Sequence, residues 1–318
     1  MPTIAIVGEV VADAVLPVGG IVDGAAHLTV HPGGGPANTA LALARLGSTA
    51  RFAGRLSTGS LGRLCRARLE ASGVDLTASE DATEPATLAI ARVDAGGAAT
   101  YEFYTDGTAD WAWTDASLAP LIDGPFAAGQ APVAVHTGTL ALALQPSGGV
   151  IENLLARGRE RMTISVDPNL RTLLVPIESY RERIDTWASL SDIVRLSLDD
   201  LEQLWPEWSP ERAADHLHEQ GVALAVISLG GDGAYGSIRG DGVRVPTAPT
   251  TLVDTVGAGD SFHGGLLHYL AESGYLGGRL GTLTVDGLLA ALTFASRVSA
   301  ITCSRAGANP PWAAELAG

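Results

Sequence analysis

The chain has 318 residues, 46% of them hydrophobic, which suits one large α/β domain better than two or three independent ones. All 20 basic residues are arginine, so a lysine-bearing phosphate loop, a Schiff-base lysine and the protein-kinase lysine are excluded. A net charge of −15 with no basic run speaks against nucleic acid or an anionic membrane surface as a partner.

Thr3–Val7 is a short apolar run closed by Gly8, the pattern of a buried strand in a parallel sheet. Glu9 and Asp13 interrupt the apolar start and no basic residue precedes it, so it reads as a first strand rather than a leader peptide. No run of about eighteen apolar residues stands out to span a membrane. Short alternating stretches within Val10–Val30 and Ala86–Tyr104, joined by glycine-rich turns, predict a small sheet, a lid over approximately 10–34 and 86–110.

Further on, helical patterns at Ala37–Leu46, Gly62–Ala71, Ile151–Arg157 and Pro210–Gln220 alternate with apolar runs at Val133–His136, Thr163–Val166, Ile193–Leu196 and Leu224–Leu229. That alternation predicts a doubly wound, mostly parallel sheet flanked by helices, a single domain over 1–318. Cys65 and Cys303 lack ligand-like spacing and read as buried free thiols of a reducing cytosol, so a cytoplasmic protein is expected.

Two glycine clusters carry the chemistry. Leu252–Gly265, LVDTVGAGDSFHGG, places glycines and a second carboxylate at the mouth of an apolar helix. Glycine weakens a helix turn, so stability alone does not account for the pattern. Gly257, Ala258 and Gly259 would let backbone N–H groups approach an anion, a phosphate cradle without a lysine. Asp260 directly follows, where a base would take the proton of an attacking hydroxyl. His31–Ala40, HPGGGPANTA, opens a second helix, and Asn38 there offers a donor and an acceptor to a hydroxyl.

Together these stretches resemble the two signature regions of the ribokinase-like (PfkB) carbohydrate kinase family, in family order and over nearly the whole chain. The resemblance implies a ribokinase-like fold and transfer of the ATP γ-phosphoryl group to a sugar hydroxyl. Asp260 is then the catalytic base, with Gly257, Ala258 and Gly259 as the anion hole. Asp167-Pro168-Asn169-Leu170-Arg171 matches the family's Asp-Pro-Asn-x-Arg run, with Arg171 as a clamp on phosphate oxygens. Asp13, Gly33, Gly34 and Asn38 fall on the sugar-binding positions, and His136 in a further landmark of the sugar side.

On the nucleotide side the resemblance implies roles for Ser228, Gly230 and Gly233 in the turn SLGGDG, for Thr255, for Ser296 in place of a common asparagine, and for Gly307 in the run that closes the adenine pocket. Asp200 stands for the glutamate that organises Mg2+, although Ser197-Leu198-Asp199-Asp200 departs from the family's Asn-x-x-Glu. Asp254 would be the anionic neighbour of a monovalent cation, K+. A homodimer through the lid also follows from the resemblance. Gly33-Gly34-Gly35-Pro36-Ala37-Asn38 and His136-Thr137-Gly138-Thr139 lean toward the fructokinase-like branch. 2-Keto-3-deoxygluconate kinase and nucleoside kinase remain open, the latter if Trp111 and Trp113 furnish a base slot.

Overall fold

The computed structural model describes residues 2–94, 96, 99–127 and 129–316. Residues 95, 97 and 98, in the second expected lid segment, lie outside the described residues.

Twelve strands carry the architecture: β1 (Thr3–Val7), β2 (Val11–Leu16), β3 (Thr29–Gly33), β4 (Thr49–Ala53), β5 (Thr87–Val93), β6 (Ala99–Tyr104), β7 (Pro132–Gly138), β8 (Thr163–Asp167), β9 (Ile193–Ser197), β10 (Leu224–Ser228), β11 (Ala234–Ile238) and β12 (Asp241–Val245). An eight-stranded sheet runs β12-β11-β10-β9-β8-β7-β1-β4. It is parallel from β10 to β4 and closes with the antiparallel hairpin of β11 and β12. The doubly wound expectation is met. Helices on both faces bury the parallel strands, so β1 reads as an uninterrupted apolar run rather than an alternating one.

A separate four-stranded sheet, β6-β5-β2-β3, is the small sheet expected from the two β-rich stretches. Its root is tied by Asp110, buried, whose carboxylate accepts the Val10 N–H at 2.9 Å and the Thr87 hydroxyl at 2.6 Å. Trp111 and Trp113 pack into the main core at 8% and 2% exposure, which removes them as a base slot.

Three helices frame one end of the sheet: α1 (Gly35–Leu46), α2 (Ala258–Glu272) and α3 (Val285–Cys303). By length and composition α3 could cross a membrane, contrary to the sequence reading. Here it lies on the sheet, with Leu288, Leu292, Ala295 and Val298 buried. α1 starts with Pro36 in its first turn, where a missing N–H costs nothing, and ends on Gly47 at φ 101°, a left-handed cap.

Candidate active site

The N-terminus of α2 is built to stay open. Its N-cap, Gly257, sits at φ 71° and provides no side-chain cap. A Cβ there would come within 2.5 Å of the Ala308 side chain, and a left-handed φ disfavours any other residue. The Ala258 N–H is taken by the Thr255 carbonyl at 3.1 Å, which leaves those of Gly257 and Gly259 open to a ligand, and the helix dipole makes that ligand an anion.

Asp260 follows on the first turn of α2, partly open to solvent. Asn38 Nδ2 donates to its Oδ2 at 2.8 Å. Burial raises the Asp260 carboxyl above the ordinary range, while the Asn38 bond and the Arg171 and Arg195 charges pull it back down. Its other oxygen faces Gly35: a Cβ at Gly35 would lie 2.5 Å from Thr139 Oγ1, 3.2 Å from Asn169 Nδ2 and 3.5 Å from Asp260 Oδ1. Thr139 and Asn169 both adopt left-handed backbone, at φ 55° and 43°. For a β-branched threonine this is a true outlier, and such strain collects at functional sites.

On the other side of Asn38, β2 and β3 bring Asp13 against Gly33, whose added Cβ would meet Asp13 Oδ2 at 2.0 Å. Gly34, at φ 102°, passes over the Glu9 carbonyl at 2.6 Å by the same measure. Burial pushes Asp13 up to about 6, with Arg171 opposing and Asp260 reinforcing the shift. Glu9 is completely buried and is pushed up to about 8 by burial; its Oε2 accepts the Ala141 N–H at 3.0 Å. Arg171 is exposed and folds back, donating from Nη1 to Asn169 Oδ1 at 2.7 Å and to the Leu170 carbonyl at 2.9 Å.

His136 does not fit the sugar side. It is 2% exposed, its Nδ1 pairs with Ser165 Oγ at 3.2 Å, and its ring lies 4.4 Å from that of His263. Burial drives its pKa down to about 3, so it is a neutral core residue beneath the pocket and the expected substrate contact is corrected.

Asp200 is corrected as well. Its Oδ1 accepts the Leu170 N–H at 2.9 Å, and its Oδ2 accepts the Ser197 N–H at 2.9 Å and the Ser197 hydroxyl at 2.6 Å. With Ser197 Oγ accepting the Asp200 N–H, Oδ2 belongs to a reciprocal capping box for the helix Leu198–Leu204, while Oδ1 is held by the Leu170 N–H, so both carboxylate oxygens carry hydrogen bonds. A free buried carboxylate oxygen does exist nearby, Asp167 Oδ1, which has no partner. Among the described residues no cluster of three or more acidic, histidine or cysteine ligands stands ready for a metal. The donor set fits an ion that brings its own oxygens and waters, as Mg2+ on a nucleotide does.

The nucleotide-side candidates line the same end of the sheet. Ser228 ends β10, Gly230 and Gly233 form the turn after it, and Gly233 at φ 93° passes the Val245 carbonyl where a Cβ would clash at 2.0 Å. Ser296 accepts the Ala248 N–H at 2.9 Å and donates to the Pro246 carbonyl, which pins that loop. Asp254 joins the two terminal loops, accepting the Gly307 N–H at 2.7 Å and the Val256 N–H at 3.0 Å. Thr255 is exposed and its carbonyl accepts the Ala258 N–H.

Sequence reasoning passed over Arg195, Glu9, Thr139 and His263. Arg195 had a signal: one cation inside the apolar run Ile193–Leu196 of an otherwise buried strand. The strained backbone of Thr139 had none.

An open helix start facing a hydrogen-bonded carboxylate, at the carboxyl ends of a parallel sheet, is what a phosphoryl-transfer enzyme uses. The chain belongs to the pfkB family of carbohydrate kinases, whose model matches residues 1–315. It is 36% identical over 238 residues to a fructokinase of Rhizobium leguminosarum bv. trifolii, covering 74% of this chain and 71% of that protein. Its fold is shared with the ATP-bound fructokinase of Xylella fastidiosa, at 23% identity and TM-score 0.85, over 99% of this chain and 97% of the other. The fructokinase of Vibrio cholerae O395, solved with fructose, ADP and calcium, gives TM-score 0.80 at 26% identity, over 100% and 98% of the two chains.

Proposed function

We propose that this carbohydrate kinase transfers the γ-phosphoryl group of ATP to a hydroxyl of fructose or a close relative of it. The carrying observation is the Asn38–Asp260 hydrogen bond, which puts the sugar motif and the base in one constellation. Asp13, the Gly33-Gly34 backbone and Asn38 hold the sugar. Asp260 accepts the proton of the attacking hydroxyl through Oδ1, the oxygen facing Gly35. The N–H groups of Gly257 and Gly259 stabilise charge on the transferred group, joined by that of Ala258 once it leaves the Thr255 carbonyl. Arg171, exposed beside the pocket, unfolds to clamp phosphate oxygens.

Ser228, Gly230, Gly233, Thr255, Ser296 and Gly307 line the nucleotide. Bound magnesium would neutralise phosphate charge, with Asp167 as its buried carboxylate neighbour, and Asp254 is the residue for K+. The small sheet acts as a lid, and its exposed Tyr101 and Tyr104, with Ile21 and Val22 on the separate two-stranded hairpin of residues 21–26, suit pairing with a second copy.

A coupled ADP-release assay over fructose, other ketoses and aldoses, 2-keto-3-deoxygluconate and adenosine tests the reading. Fructose should rank among the best acceptors by kcat/KM. Adenosine or the sugar acid ahead of it by orders of magnitude overturns the sugar assignment, and no ADP release with any acceptor overturns the kinase reading.

A further inference from the structure

We propose that Arg195 is a positioning residue for phosphoryl transfer, its guanidinium a fixed positive charge set against the anion-binding turn of α2; this rests on the sugar-kinase reading above.

Arg195 stands inside β9, 4% exposed, with Val194 and Leu196 as fully buried neighbours. A guanidinium in a parallel-sheet interior is costly unless strongly paired, and one-sided pairing does not recover that cost. Nη1 donates to Asp167 Oδ2 at 2.9 Å and Nη2 donates to Ser228 Oγ. A Cβ at Gly259 would lie 2.9 Å from Nη2 and 3.0 Å from Nη1. One side chain thus reaches the ends of β8 and β10 and the first turn of α2.

The pairing is incomplete. Arg195 Nε has no partner, and neither has Asp167 Oδ1, so the pair is not the two-pronged fork that a purely stabilising bridge would favour. Burial would pull the guanidinium pKa down, but Asp167, Asp200 and Asp260 outweigh it and keep the charge in place. An anion on the Gly257 and Gly259 N–H groups would sit across one glycine from this charge, whose own burial keeps water from screening it on the protein side. The geometry also explains Gly259 itself, since any larger residue would displace the guanidinium.

Four variants test this: Arg195→Met, Arg195→Lys, Asp167→Asn and the double Arg195→Met/Asp167→Asn, which leaves no unpaired buried charge. Steady-state kinetics give kcat and both KM values; calorimetry gives binding of a non-hydrolysable ATP analogue and of fructose. Relative to Asp167→Asn, the double variant should lose about 30-fold or more in kcat and bind the nucleotide analogue more weakly, with sugar KM within about threefold. Arg195→Lys should regain about tenfold in kcat over Arg195→Met. Equality of the double variant and Asp167→Asn would overturn the proposal, because Arg195 would then only balance Asp167. So would a parallel loss of sugar and nucleotide affinity together with Tm, the mark of a packing role. If wild type transfers no phosphoryl group, the kinase reading fails by itself, and the calorimetric comparison still decides on Arg195.

Discussion

The amide of Asn38 donates to the carboxylate of Asp260 at 2.8 Å, across 222 positions of sequence. One atom pair therefore joins the helix that opens the sugar motif to the helix that opens the anion hole. In the proposed reading Asn38 acts on the acceptor and also on the base, because a hydrogen bond to a carboxylate favours its ionised form. Asn38→Ala is accordingly expected to raise sugar KM, lower kcat and move the acid limb of the kcat/KM profile up by about one pH unit. A pure KM effect with an unmoved pH profile would count against the shared role.

Asp260→Asn keeps size and polarity but cannot take a proton as a carboxylate does. kcat should fall by about 10²–10⁴ while ATP and sugar still bind by calorimetry. Folding should survive, since a first-turn carboxylate contributes at most about 1 kcal/mol through the helix dipole. Near-normal turnover by a folded variant removes Asp260 as the base.

Stability should carry the signature of Glu9. Its carboxyl is raised from 4.5 to about 8 by burial, so the folded state holds the proton and the unfolded state releases it earlier. With more protons bound in the native state, stability is highest below the unfolded pKa and declines as pH rises from about 4.5 to about 8. Glu9→Gln is neutral throughout, so its Tm relative to wild type should climb across that window, by an amount worth about 2–5 kcal/mol at its upper end. Thermal melts of both proteins from pH 5 to pH 8 check this; a constant difference excludes a protonated Glu9.

Thr139 pairs strain with a reactive position. Thr139→Gly accepts φ 55° freely and should relieve about 1–2 kcal/mol of backbone strain, against added chain entropy in the unfolded state. Tm is expected at or near the wild-type value, while kcat/KM for the sugar falls at least about tenfold for want of the hydroxyl beside Asp260. Loss of stability without loss of activity would assign Thr139 to the scaffold.

Much of this was legible beforehand. The strands 3–7, 163–167 and 193–197 were expected from the apolar runs Thr3–Val7, Thr163–Val166 and Ile193–Leu196, because a parallel strand buried on both faces is mostly apolar, Arg195 being an exception. The glycines at 33–35 and at 257 and 259 marked the starts of α1 and α2 for the same steric reason that the structure displays as forbidden Cβ positions. What escaped differs in range: the burial that silences His136 comes from distant segments packed on it and leaves no local pattern. The Ser197–Asp200 capping box, in contrast, is local, a serine three residues before an acid at the head of an apolar helix, and could have been read.

The order of the strands also bears on how the enzyme comes into being. β1 lies one strand in from the edge, between β4 and β7, so its second neighbour waits for residues far downstream. At ordinary synthesis rates of about 5–20 residues per second, Asp260 leaves the ribosome on the order of ten to forty seconds after Asn38, given their separation of 222 residues. Throughout that interval the nascent chain exposes an apolar first helix without its partner, and with Asp260 as the proposed base a ribosome stalled before residue 260 would carry a polypeptide without turnover. Catalytic competence arrives late and all at once, with α2 closing over α1.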